Sequence, residues 1–272
     1  MKKILCPVDF SNASRNGLEF AGNLAAEWMA HLTLMYVRPT IWPEAVQLRK
    51  ESADSAASIT DDLKLLSDQI EKEFGVTCGL HLERTLDSVE HSIAEYGKGY
   101  DLIVTGTNGA DDTFQLVFGS HSYQVIRQAM CPVLLIPEGV TYKPMRELVY
   151  AYDPDTNPIF LIDQLRDFAV ALNASVKVVH VVEGEKSPAA EARMEHLGQT
   201  VMARAPKNIP WTFEALYGKD VAWTLEHFAA QNKVDAMALS YHHRTLMDNL
   251  MRENVIKRIS MTAEFPVFTF WR

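Results

Sequence analysis

Residues 101–137 read DLIVTGTNGADDTFQLVFGSHSYQVIRQAMCPVLLIP. Two apolar runs, LIVT and PVLLIP, bracket a stretch whose small residues fall at set intervals. Two residues separate Gly106 from Gly109, and nine more precede Gly119 and Ser120. Apolar runs of about five residues suit strands covered by helices on both faces, which is how parallel sheets read. VFGSHSYQVIRQAM between them has the pattern of a connecting helix. Strand, small-residue turn, helix and strand together make one step of an α/β fold.

The same alternation runs through the first half. KILCPV is followed by NGLEFAGNLAAEWMA, LTLMYV, the polar helix around SITDDLKLLSDQIEKEF, TCGLHLER and SVEHSIAEYG. After Pro137, EGVTYKPMRE carries Gly139 and Pro144 without apolar periodicity, which marks a linker. LVYAY then opens a second series: PIFLIDQLRDFAVAL, VKVVHVV, EARMEHLGQTVMARA, TFEALY, VAWTLEHFAAQ, DAMALS, VIKRIS and PVFTFW. The halves superpose without gaps from Asp101 on Asp235 to Pro132 on Pro266, an offset of 134, and Asp9 falls opposite Asp153 at 144. The first half therefore carries about ten extra residues. RPTIWPEAVQLRKESADS, with two prolines, is the expected source and reads as a surface loop or lid. The expectation is a doubly wound α/β chain of two domains, 1–140 and 145–272.

Composition narrows the function. With 26 basic residues against 35 acidic ones, a formal charge of −9 opposes attraction to nucleic acid and to anionic membranes. No run approaches a membrane span, MKKILCPVDF lacks the apolar core of an export signal, and the chain reads as cytoplasmic. Cys6, Cys78 and Cys131 are odd in number and irregularly spaced, so they read as buried or semi-buried thiols rather than disulfides or zinc ligands.

In an open α/β sheet, ligands sit beyond the carboxyl ends of strands where the strand order reverses. Glycines directly after DLIVT let backbone N–H groups approach an anion, and Gly119-Ser120 at the start of the next helix would add its positive end. Ser120 can cap the helix and donate to phosphate, and Ser122 adds a hydroxyl one turn on. No lysine lies between Gly109 and Gly119, which excludes the P-loop, and no G-x-G-x-x-G follows the first strand. PVDFSN is not the S-G-G-x-D-S loop of an adenylating enzyme.

Gly106-x-x-Gly109, nine residues, Gly119-Ser120 and CPVLLIP, preceded by PVDFS on the first strand, resembles the ATP-binding signature of the universal stress protein family. The likeness covers the whole chain as two fused copies. It implies two α/β sandwiches related to the adenine nucleotide α-hydrolase-like fold, each with a five-stranded, mostly parallel sheet of order 3-2-1-4-5. It also implies that Pro7, Val8 and Asp9 line an adenine base and that Val37 closes the pocket. Gly106, Gly109, Gly119, Ser120 and Ser122 would hold ribose and phosphates of ATP. Asp111 and Asp112 beside that loop require Mg²⁺ between them and a triphosphate, or an orientation toward solvent. Family members dimerise through the last strand, so CPVLLIP and FPVFTFW would meet as an intramolecular pseudo-dimer, with further homodimers open.

In the second half the three glycine positions become Ser240, His243 and Glu253, and Ser120 becomes Asn254, so this copy is expected not to bind ATP. Asp9 as a turn residue, and the glycines as turn formers alone, are the plainer readings. His242-His243 reads as a solvated pair, and the methionines and aromatics of MEHLGQTVMARA and VAWTLEHFAA as core. No catalytic constellation is legible, leaving at most a slow ATPase. Two functions remain: a nucleotide-controlled switch acting on a protein partner, and a nucleotide-free interaction scaffold.

Overall fold

The computed structural model describes residues 2–40, 53–107, 115–154, 158–241 and 249–271. The chain divides into two compact units, the first running to Tyr142 and the second from Lys143.

Unit 1 comprises β1 (Lys3–Pro7), α1 (Asn12–Trp28), β2 (His31–Pro39), α2 (Ala53–Phe74) and β3 (Cys78–Thr85), then α3 (Val89–Gly97), β4 (Leu102–Thr107), α4 (Gln115–Gln128) and β5 (Val133–Pro137). Its strands lie in the order β3-β2-β1-β4-β5. β1 is parallel to β2 with Ile4 opposite Leu32 and parallel to β4 with Ile4 opposite Leu102; β3 and β5 extend the sheet in parallel. Ile4, Leu5 and Cys6 are consecutive and all fully buried, which requires cover on both faces of β1. Helices α1 and α2 pack together, as do α3 and α4. Each fully buried Leu or Ile of these strands stabilises the unit by about 1.5–3 kcal/mol relative to exposure.

Unit 2 repeats the plan with β6 (Glu147–Ala151), α5 (Pro158–Leu172), β7 (Ser175–Val182), α6 (Pro188–Met202) and β8 (Trp211–Tyr217), then α7 (Val221–Asn232), β9 (Ala236–Tyr241), α8 (Asn249–Thr262) and β10 (Val267–Trp271). The order β8-β7-β6-β9-β10 matches that of unit 1, element for element. All its pairings are parallel.

Two hydrogen-bonded details repeat at the offsets read from the sequence. Asp101 Oδ2 accepts the Lys3 N–H at 2.7 Å, and the Asp101 N–H returns a bond to the Lys3 carbonyl at 3.0 Å. Asp235 Oδ2 accepts from Arg146 and Glu147 N–H at 2.8 and 2.9 Å, and its own N–H reaches the Glu147 carbonyl at 3.0 Å. Each aspartate thus ties the start of the fourth strand of its unit to the start of the first.

The extra length of the first half is only partly a loop. Arg38 and Pro39 belong to β2 and Ala53 to Ser55 to α2, which runs 22 residues against 15 for α6. Residues 41–52 of the expected lid lie outside the described residues. A second correction concerns the apolar stripes. Met194, Leu197 and Val201 are core, but Met202 and Trp223 are each 54% exposed, and Trp223 stacks on His227 with ring centroids 4.7 Å apart. Helical spacing places a residue on a stripe, but what lies opposite that stripe decides its burial. No helix among the described residues is long and apolar enough to cross a membrane.

Burial opposes ionisation of Asp235, but the bonds from Lys143, Arg146 and Glu147 outweigh it and hold its carboxyl below the usual carboxylate value. A lowered native value stabilises the fold above about pH 4, the value of the unfolded chain, and that stabilisation disappears as pH falls through the native value. Asp235→Asn should therefore cost about 1.5–3 kcal/mol at pH 7. The difference between the denaturation midpoints of variant and parent should shrink at low pH, measured by circular dichroism in urea.

Candidate functional site

The reversal of strand order in unit 1 falls between β1 and β4, because the chain leaves β1 toward β2 while β4 lies on its other side. The carboxyl ends of these strands are the place where such sheets accept ligands. Pro7 closes β1, and the buried Val8 continues its line, its N–H reaching the Met35 carbonyl at 2.8 Å. Val37 is buried one turn of the pleat further along β2. Asp9 is exposed at the tip.

A serine-rich turn fixes Asp9. Its Oδ1 accepts the Ser11 N–H at 2.9 Å, and its own N–H donates to Ser14 Oγ at 3.3 Å. Ser14 Oγ in turn donates to the Ser11 carbonyl at 3.1 Å. The cap of α1 is Ser11, whose Oγ accepts the Ser14 N–H at 3.1 Å. Burial works against ionisation of Asp9, yet the hydrogen bonds from Ser11 and Ser14 prevail and lower its pKa, so it is a carboxylate at neutral pH. Between the two stands Phe10, at φ 66° in the left-handed region where a bulky side chain is uncommon; its ring lies 5.5 Å from that of Tyr36.

Gly106 has a structural duty that its spacing in the sequence did not disclose. A Cβ there would stand 1.8 Å from the Ala13 carbonyl oxygen, and a Cβ on Gly17 would stand 2.5 Å from the Gly106 nitrogen. The pair lets the first turns of α1 rest directly on the end of β4. Ser122 is engaged as well: its Oγ donates to the Gly106 carbonyl at 3.2 Å, tying α4 to β4. The expected helix start is corrected. α4 begins at Gln115, so Gly119 and Ser120 lie in its second turn, and Ser120 is not its cap. The run QLVF continues the helical pattern toward the amino end, and nothing in it breaks a helix. Gly109, with Asn108, Ala110, Asp111 and Asp112, lies outside the described residues.

Unit 2 fills the corresponding corner differently. Ser240 stands where unit 1 has Gly106, and its hydroxyl is hydrogen-bonded to that of the buried Tyr150. The sequence places Leu161 where unit 1 has Gly17. The Tyr152 N–H reaches the Val179 carbonyl at 2.7 Å, as Val8 reaches Met35, and His180 Nδ1 donates to the Tyr152 carbonyl at 3.2 Å. Burial keeps His180 below its usual pKa, so it brings no positive charge at pH 7. His242 and His243 lie outside the described residues.

The structure thus brings Pro7, Val8, Asp9, Val37, Gly106 and Ser122 to the same end of one sheet. Sequence reasoning missed Gly17, Phe10 and Ser14. The small residue at Gly17 sits in the buried stripe of α1, a signal that was available; the close backbone contact that demands it is tertiary. Cys6 is buried and its thiol is pushed far up, as is that of Cys131, to about 12, while Cys78 is half-buried and also raised. None is a thiolate nucleophile at neutral pH. Among the described residues no three of His, Cys, Asp and Glu cluster as metal ligands.

These features define a duplicated, open parallel α/β protein whose first copy alone keeps a glycine at the end of its fourth strand. The universal stress protein family model matches residues 1–137. The chain belongs to that family. It is 32% identical over 158 residues to a universal stress protein of Methanocaldococcus jannaschii, covering 54% of this chain and 85% of the relative. It is 28% identical over 146 residues to universal stress protein YxiE of Bacillus subtilis, covering 49% and 97%. The crystal structure of a universal stress protein from Archaeoglobus fulgidus superposes with a TM-score of 0.78, covering 99% of this chain and 98% of that one at 14% identity, a likeness of fold.

Gly106→Ser, which copies unit 2, forces a Cβ into the Ala13 backbone. It should destabilise unit 1 by about 3 kcal/mol. Thermal denaturation followed by circular dichroism would read this as a lowered first transition; an unchanged melt would show that α1 shifts at no cost.

Proposed function

We propose that unit 1 binds ATP or a related adenine nucleotide at the carboxyl ends of β1 and β4, that occupancy acts as a regulatory switch in a cytoplasmic stress response, and that unit 2 is its structural partner. The observation that carries this reading is the contrast between the two copies. Unit 1 keeps a glycine at position 106, against which the backbone of α1 packs directly, and an ionised, exposed Asp9 at the same end of its sheet, whereas unit 2 has the Ser240–Tyr150 hydroxyl pair at the end of its fourth strand. In this reading Pro7, Val8 and Val37 give the base an apolar wall, and Asp9 accepts from ribose hydroxyls. Gly106, Gly109, Gly119, Ser120 and Ser122 lie on the segment that would carry the phosphates, with Mg²⁺ offsetting Asp111 and Asp112.

Hydrolysis in this scheme is slow at most, since no P-loop lysine is present and no described side chain is placed as a general base for water. The useful event is binding. A ligand held at the ends of β1 and β4 changes the surface offered to a protein partner by its preference for one arrangement over another.

Isothermal titration calorimetry with ATP and Mg²⁺ tests this. One saturable event per chain is expected, and Gly119→Glu, which installs the residue found in unit 2, should weaken it about tenfold or more, a change of about 1.4 kcal/mol or above. No heat and no shift in melting temperature at roughly millimolar nucleotide would leave the nucleotide-free scaffold as the function.

A further inference from the structure

The outer strands of the two units end their sheets in different ways. In β3 the ladder bonds from Leu32 N–H to the Thr77 carbonyl (3.1 Å) and from Thr40 N–H to the Thr85 carbonyl (2.7 Å) fix which groups face β2. Cys78 therefore faces outward. Its N–H donates to Glu71 Oε1 at 2.8 Å and its carbonyl accepts from Ser67 Oγ at 3.2 Å. Side chains of α2 thus cap that edge, one of the ways proteins prevent strand addition.

Among the described residues β8 has no such cap. Val176 N–H reaches the Pro210 carbonyl at 2.9 Å and Gly218 N–H reaches the Val182 carbonyl at 3.2 Å. With Val176 opposite Trp211, the alternation of a parallel ladder turns the backbone groups of Thr212, Glu214 and Leu216 toward β7. Those of Trp211, Phe213, Ala215 and Tyr217 face away. Among the described residues β8 pairs only with β7, and no described residue bonds these outward N–H and C=O groups.

A groove of about 820 Å³ runs along this edge between β8 and one stripe of α6. Gly198 forms part of its wall, where a Cβ would come within 3.0 Å of the Phe213 ring. The seven residues of β8 span roughly 20 Å, a length that suits an extended chain better than a compact ligand. Glu191, Glu195 and Glu214 line the groove against one cation, Lys186, whose Nζ is already 3.0 Å from Glu191.

We propose that the free edge of β8 is a docking site for an extended, basic segment of a partner protein, which adds to the sheet as a further strand. Main-chain bonds to Phe213 and Ala215 would hold it, and its alternate lysines or arginines, which share one face of the added strand, would meet Glu191 and Glu195 on the α6 face. A second copy of this chain is the poorer occupant, because its β8 would bring the same carboxylates against these. The site is independent of the nucleotide reading, being confined to unit 2.

Fluorescence anisotropy with two labelled ten-residue peptides tests the proposal, one alternating Lys with Val and one alternating Glu with Val. The basic peptide should bind and the acidic one should not. Ala215→Pro removes an outward N–H without touching the β7 ladder and should weaken binding at least about tenfold, about 1.4 kcal/mol. The double variant Glu191→Lys/Glu195→Lys, both changes on the surface, should do the same and carries the test if Ala215→Pro fails to fold. The proposal is overturned if the basic peptide binds no better than the acidic one, or if it binds both variants unchanged. Sedimentation showing a parent dimer that Ala215→Pro dissolves would also overturn it, since the edge would then belong to a second copy.

Discussion

The main chain of β4 meets the main chain of α1 at Gly106, with no space for a Cβ on either Gly106 or Gly17. This contact sets where α1 begins. Its cap, Ser11, is then held beside the end of β1, and the turn from Asp9 to Ser14 closes on itself through hydroxyls and N–H groups. The ionised Asp9 and the left-handed Phe10 both follow from that geometry. A glycine pair deep in the unit thereby shapes an exposed turn several residues away.

Duplication shows which parts of this arrangement the fold itself needs. Both copies keep the strand order, the parallel register and an aspartate binding the first strand to the fourth. Burial of apolar strands is non-directional, so many side chains satisfy it, and the architecture survives wide divergence. The corner at the end of the fourth strand has no such latitude. Once Ser240 replaces glycine, its hydroxyl needs a partner, and Tyr150 provides one. The same fold then accommodates a side chain where unit 1 packs backbone on backbone.

The outer edges follow a related logic. A terminal strand leaves donors and acceptors unpaired, and a protein either covers them or uses them. α2 covers β3 with Ser67 and Glu71, at the cost of a helix longer than its counterpart α6. Beside the shorter α6, no described residue caps the outward groups of β8, which run along an acidic groove. The side chains that close this edge lie in the second half of α2, outside the stretch that read as an insertion in the sequence.

Much of this was legible in the sequence. The alternation of short apolar runs with amphipathic stretches and the offsets of 134 and 144 identified a duplicated parallel α/β fold, because strand and helix periodicity are local properties. The burial of Cys6 and Cys131 was equally plain. The exposure of Trp223, the start of α4 at Gln115 and the engagement of Ser122 with the Gly106 carbonyl were not, since each depends on what packs opposite. By itself the sequence determined the order of the elements and their duplication, through a pattern of apolar residues that only one architecture buries well. The tertiary structure alone decided that Gly106 serves the seat of α1 and that β8 keeps a free edge, because both are distances between backbones far apart in the chain.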